Sequence, residues 1–182
     1  MIGAGPAGLT YASLVADGNA VTVFEKEQQA GGSFNYAGKA PLFQEVVASE
    51  KSFQRYIADL VAACVMKKVA FRFSTDVTAA AELLAPFDRI VIATGAAYRF
   101  GLGPFVRWML DSRLARAPGV ARLFSSGALR DWFYYKARRG TAARIKPLAR
   151  PGQIVAVLGD AAEAGKSKQA ISSAFEAALL NK

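Results

Sequence analysis

Three glycines at positions 3, 5 and 8 of the opening stretch MIGAGPAGLT have the Gly-x-Gly-x-x-Gly spacing, and an acid, Glu25, follows twenty residues after Gly5. Such a turn allows a tight bend, a close approach of backbone to a pyrophosphate, and close packing of the next helix on the strand before it. The amides at the helix start attract the phosphate charge. The acid, at the end of the following strand, is placed to hold a ribose diol. Its charge disfavours a 2′-phosphate, so FAD or NAD is expected rather than NADP. Lys26, beside the acid, belongs to the same candidate site. The plainer alternative is a glycine-rich turn followed by an exposed Glu.

Other chemistries lose ground on residue types. The 182 residues contain no histidine and one cysteine, Cys64, which excludes an internal disulfide and removes the main ligand or base of zinc, haem and triad chemistry. Cys64 reads as a buried helical residue. Tyr36, Tyr98, Tyr134 and Tyr135 read as packing or interface residues rather than proton donors, so a bound cofactor would carry the chemistry. The stretch GDAAEAGKS from Gly159 to Ser167 comes near the phosphate-binding G-x4-G-K-[ST] loop but misses its spacing by one residue. That loop wraps phosphate with a fixed run of amides, so an NTPase is not expected. Lys166 is expected in the first turn of the last helix, facing an anionic group of the cofactor or solvent.

The elements that would position these residues alternate between strand and helix. GPAGLTYASLVAD is small and apolar at helical spacing, Gly18-Asn19 stops it, and AVTVFEKE is a β-branched strand ending in acid. After a glycine-containing loop, Phe43 to about Met66 carries helical periodicity. VAFRF and DRIVIATG read as strands, the second ending in a turn. QIVAVLGD followed by KSKQAISSAFEAALL is a last strand, acidic turn and helix. The fold class is therefore α/β: a Rossmann-like dinucleotide-binding domain with a central parallel sheet, formed by residues 1–95 and 151–182. Only Met1 and Ile2 precede the glycine turn, where a full buried strand is usual, so the chain is expected to be a piece of something longer.

Three features then separate FAD from NAD: Gly31-Gly32 shortly after Glu25, the Ala-Thr-Gly at residues 93–95, and Leu158-Gly159-Asp160 after the last strand. With the first motif they resemble the FAD site of the two-dinucleotide-binding-domain flavoproteins. More narrowly, they resemble the C-terminal half of old-yellow-enzyme-type flavin oxidoreductases similar to 2,4-dienoyl-CoA reductase and trimethylamine dehydrogenase. The resemblance implies an FAD-dependent oxidoreductase, incomplete on its own, with a partner in an N-terminal FMN-carrying barrel or another subunit. It implies that Gly3, Gly5 and Gly8 take the pyrophosphate, Glu25 the adenosine ribose and Asp160 the ribityl chain. Gly32, Thr94 and Gly95 stand behind them, and Val77 lies where an adenine would touch backbone. An alternative for Asp160 is to cap the last helix. From another functional class, the chain could be a non-catalytic ADP- or NAD-binding module.

The departure from that pattern lies in residues 96–150. A full NAD(P) domain usually stands there, yet here the segment is about 55 residues long and FGLGP is its only glycine group. It holds twelve Lys or Arg against Asp111 and Asp131, a net +10, leaving 9 − 10 = −1 for the rest of the chain. With Trp108 and Trp132 set among arginines it reads as two or three short amphipathic helices. Such a face suits a partner domain or subunit, an acidic membrane surface, or, less well, a nucleic acid or acidic substrate. The apolar runs are too short to span a bilayer, so a cytoplasmic location is expected, with membrane association through 96–150 as a variant.

Overall fold

A computed structural model describes residues 1–39, 49–123 and 126–180 of the chain. Helix α1 (Pro6–Val15) leads to strand β1 (Thr22–Phe24), a short helix α2 (Phe34–Ala37) and the long α3 (Glu50–Met66). Strands β2 (Ala70–Arg72) and β3 (Arg89–Ile92) follow. The expected start of α3 at Phe43 falls at 43–48, outside the described residues. Otherwise each scaffold element lies where the periodicity placed it, with the strands shorter than the apolar runs.

The slot before the glycine turn is filled by two residues. The Ile2 N–H donates to the Val91 carbonyl at 2.8 Å and the Gly3 N–H to the Phe24 carbonyl at 2.8 Å. In return the Phe24 N–H reaches Met1 O at 2.9 Å and the Ala93 N–H reaches Ile2 O at 2.8 Å. Ile2 forms parallel bridges to both Phe24 and Ile92. Met1 to Gly3 thus join two strand pairs, β1 with β2 and β3 with β6 (Ile154–Val157), each parallel and in register. The sheet runs β2–β1–(Met1–Gly3)–β3–β6. The chain moves outward on one side of the centre and then on the other, and the glycine turn leaves from that reversal, where open α/β sheets bind ligands.

Both faces of the sheet are covered, as a parallel sheet requires. Side chains alternate with period two. Met1, Val23, Val91 and Ala93 enter one core with Leu9, Ala12, Ile57, Cys64, Ala174 and Ala178 of α1, α3 and α8 (Ser167–Leu179). Ile2, Phe24, Ile90 and Ile92 enter the other with Val77, Leu84, Ala142 and Ile145. Helix α1 is buried on nearly all sides, between the sheet, α3 and α8. That is the place for a helix with little polar face.

The segment 96–150 corrects the expectation of helices alone. It opens with β4 (Ala96–Tyr98) and returns through β5 (Arg138–Gly140), which pair antiparallel with Ala96 opposite Gly140. Between them lie α4 (Leu102–Asp111), α5 (Pro118–Leu123), α6 (Gly127–Asp131) and a π-turn over Trp132–Lys136. A short α7 (Ala142–Ile145) follows β5. Three-residue strands are too short to show a period, and Arg-Arg-Gly carries no strand propensity. The FGLGP glycines start α4, with Gly101 in the left-handed region at φ +70°. Among the described residues no helix is long and apolar enough to cross a membrane.

Candidate functional site

The C-terminal ends of all the parallel strands open on one cleft of about 2120 Å³. Drug-sized ligands occupy pockets of roughly 300–1,000 Å³. The space exceeds that range. Nine of the ten predicted site residues line it: Gly3, Gly5, Glu25, Lys26, Gly32, Val77, Thr94, Gly95 and Asp160. Gly8 lies behind the turn and acts through packing.

The glycines of the turn differ in what a side chain would meet. At Gly3, with φ +100°, an added Cβ would stand 2.5 Å from the Ala93 carbonyl oxygen. At Gly8 it would press into the carbonyl oxygen of Gly3. At Gly5, the residue before α1, it would meet nothing within 4 Å and would project into the open cleft. Gly3 and Gly8 thus let helix and strands close on one another, while Gly5 keeps bare the surface a ligand would approach. The first turn of α1 leaves amides without intrahelical acceptors beside it, and Pro6 occupies the position where a missing N–H costs nothing.

Glu25 is 7% exposed, which overturns the plainer alternative of an exposed acid. One carboxylate oxygen accepts from the Ala4 N–H at 2.8 Å and the other from the Glu27 N–H at 2.9 Å. The Ala4 carbonyl in turn accepts from the Gly31 N–H at 2.8 Å. One peptide of the glycine turn therefore holds the acid on one side and the Gly31-Gly32 loop on the other. Each carboxylate oxygen has a second lone pair that these bonds do not use. Lys26 is exposed at the rim. Val77 is 2% exposed, held within a turn where Asp76 accepts from the Thr78 N–H and hydroxyl; those bonds hold the Asp76 carboxyl below its ordinary pKa.

On the far side, Asp160 does not cap the last helix. The residue before α8 is Lys166, whose N–H donates to Gln169 Oε1 at 2.9 Å, so Lys166 precedes the first turn rather than lying in it. Asp160 lies within a 3-10 turn (Gly159–Ala161), accepts from the Gly165 N–H at 3.2 Å, and pairs with the Arg138 guanidinium at 2.5 Å. The Asp160 carboxylate thus takes up one amide of the GDAAEAGKS loop. Thr94 and Gly95 meet Thr141, whose hydroxyl donates to the Gly95 carbonyl at 2.7 Å. Its only proton being used there, the 2.7 Å contact between the two threonine hydroxyls has Thr94 as donor.

The basic segment supplies the remaining wall. Val106 and Met109 of α4 are buried against the cleft, and the helix is tied across its mouth by Arg107 to Glu27 at 2.9 Å and Asp111 to Lys39 at 2.6 Å. Arg107 also stands 5.3 Å from the Tyr36 ring centre, and its bond holds the Glu27 carboxyl below the usual range. Tyr98 lines the cleft, its phenol pKa pushed up by burial, so it is a donor at neutral pH. The side chains of Tyr134 and Tyr135 lie outside the described residues. On the outer surface Phe100, Phe105, Trp108 and Trp132 are exposed. Sequence reasoning missed Arg138, Thr141 and Arg107. They come from more than 80 residues beyond the glycine turn, inside a segment with no motif, and only the fold brings them to the cleft.

Comparison with known proteins agrees at the level of fold and nucleotide. Residues 1–42 match the family described as NAD(P)-binding Rossmann-like domain. A protein named metal reductase from Desulforamulus reducens is 38% identical over 101 residues, a match that covers 53% of this chain and 14% of that protein. The structure resembles a solved 2-naphthoyl-CoA reductase in complex with 2-naphthoyl-CoA, with a TM-score of 0.70 at 17% identity, over 96% of this chain and 38% of that one. At that identity the likeness is one of fold. The chain is of mixed α/β class with a Rossmann-like nucleotide-binding domain.

Proposed function

We propose that the chain is the FAD-binding region of a flavin-dependent oxidoreductase of the old-yellow-enzyme type, with residues 96–150 standing where a full NAD(P) domain would be. The observation that carries this reading is Glu25: buried in the cleft, tied by both oxygens to backbone amides, and facing the glycine turn. Placed there it would accept a ribose diol and repel a 2′-phosphate. Gly32, Thr94, Gly95 and Asp160 line the same cleft as the glycine turn, and their resemblance to a flavoprotein site favours FAD. When bound, FAD supplies the electron carrier. The residues of the chain bind and orient it, and α4 excludes water from one side. The reductase name of the curated relative supports electron transfer as the role.

The NAD(P)-binding description of the family matched over residues 1–42 favours a second reading, an NAD- or ADP-binding module without turnover. Titration of the purified chain separates the two. FAD uptake that survives gel filtration, with flavin absorbance and bleaching on NADH addition with a partner domain present, supports the first. A colourless chain whose Tm rises with NAD or ADP but not with FAD supports the second. The exposed aromatic and arginine face is proposed to meet a neighbouring domain or subunit of the same enzyme. Collisional quenching of Trp108 should therefore fall when that neighbour is present.

A further inference from the structure

The ribbon that closes the basic segment meets the turns at the sheet ends at three points within four residues, and Arg138 and Thr141 among them line the cleft. Arg138 pairs with Asp160, and both side chains are largely buried, at 14% and 17% exposure. At Gly140 an added Cβ would run into the backbone of the next turn: Ala161 O lies nearest, and Ala162 O only 2.7 Å away. Thr141 holds Gly95 O and accepts from Thr94. The parallel ladder between β3 and β6 ends at Ile92 opposite Val157, with a last bond from the Leu158 N–H to Ile92 O. Beyond that point the two turns belong to separate strands, and β5 is what spans them.

We propose that Arg138 and Thr141 are positioning residues of the cofactor cleft: Arg138 orients and charge-balances Asp160, and Thr141 sets the Thr94–Gly95 turn, so that the basic segment and the dinucleotide site act as one unit. This rests on the reading of Asp160 and the Thr94–Gly95 turn as parts of an FAD site. The charge argument is direct. A dinucleotide brings two phosphate charges into a cleft whose lining carries both signs, Lys26, Arg144 and Lys166 as well as Glu25 and Asp160, and a largely buried carboxylate left unpaired there would work against the cations. Paired with Arg138, Asp160 adds no net charge and keeps lone pairs for a sugar-alcohol hydroxyl. Gly140 is the condition for the brace, because a side chain there would push β5 off the Asp160 turn.

The test uses the full chain and six variants: Arg138→Met, Arg138→Lys, Asp160→Asn, the Arg138→Met/Asp160→Asn pair, Thr141→Val and Thr141→Ser. FAD affinity is read from quenching of flavin fluorescence, and hydrogen exchange is read at the residue-141 amide, which donates to the Gly95 carbonyl, and at the Gly165 amide that Asp160 holds. Arg138→Met and Thr141→Val should each weaken FAD by roughly tenfold. Arg138→Lys and Thr141→Ser should recover most of that loss, which a general packing defect would not allow. The double variant should bind no worse than Asp160→Asn alone. Parent-like FAD affinity in Arg138→Met, or losses that simply add in the double variant, overturns the brace. If the parent itself takes up no FAD, the functional reading fails and exchange in the chain alone decides. Faster exchange at Gly165 and at residue 141, with the core of α3 unchanged, supports the brace, and unchanged exchange overturns it.

Discussion

Gly3, Gly5 and Gly8 share a motif for unlike reasons, and substitution separates them. Gly8→Ala puts a Cβ against the Gly3 carbonyl and should cost about 3 kcal/mol or more, with dinucleotide binding lost alongside stability. Gly5→Ala has open space and a φ of −79°, so stability should stay within about 0.5 kcal/mol while binding falls, since the methyl stands where the ligand would lie. Paired urea melts and dinucleotide titrations distinguish the two. Glu25→Ala leaves the buried Ala4 N–H without its acceptor, at about 2 kcal/mol, or roughly 4–8 °C in Tm by scanning calorimetry. A parent-like Tm would mean that Ala4 finds another partner and that Glu25 is there for the ligand alone. The glycine spacing and the acid were legible because their job is local and the motif is contiguous. The lone pairs left on Glu25 were not, because they depend on which amides the fold brings to it.

Among the elements, α3 and α1 show how a packed face silences a reactive group. The Cys64 thiol of α3 points at the Leu9 carbonyl, 3.4 Å away, and burial pushes its pKa up to about 11. Its thiolate fraction at pH 8 is therefore small, and a disulfide exchange reagent should label it only after denaturant is added. Labelling of the folded chain within minutes would mean that α3 opens locally. Helix α4 is the contrasting case. Its ion pairs, Arg107 to Glu27 and Lys39 to Asp111, are largely exposed, and such pairs contribute about 0–1 kcal/mol and are screened by salt. Arg107→Ala should therefore move Tm by no more than roughly 2–4 °C while hydrogen exchange across α4 accelerates. An unchanged exchange pattern would place the hold on α4 in Val106 and Met109 instead. Periodicity marks the long helices because each presents a continuous apolar face. It marks neither β4 nor β5, whose three residues are set by what they cross.

At the scale of the molecule, the 182-residue chain carries a titratable group at the centre of the sheet. The Met1 amine donates to the Thr22 carbonyl at 3.0 Å, and burial pushes its pKa down from the ordinary value near 8 to about 6. The folded chain thus binds fewer protons than the unfolded one between those values. Stability is greatest above pH 8, falls as pH drops through the window, and levels off below 6. The full change is about 2–3 kcal/mol. Urea midpoints of the 182-residue chain at pH 6, 7 and 8 measure it, and a variant with one glycine placed before Met1 should lose the slope. A slope that survives the added residue would assign the titration elsewhere. The +10 on residues 96–150 is a whole-molecule property of a different kind, setting the outer face of the segment that walls the cleft rather than the fold of the scaffold.

The sequence by itself determined the α/β class, the order of the scaffold elements and the residues of the glycine turn. Each rests on interactions between near neighbours: short β-branched and apolar runs for β1 and β3, helical spacing for α1 and α8, and contiguous spacing for Gly3, Gly5 and Gly8. Tertiary structure alone decided that Met1 to Gly3 join the two strand pairs, because the bonds that place them there come from Phe24 and Val91 on either side. It also decided that Asp160 meets Arg138, and Gly95 meets Thr141, across separations of 22 and 46 residues. No local pattern encodes such pairs, because their partners are chosen by the crossing of β5 over the sheet ends and by the small side chain that Gly140 omits.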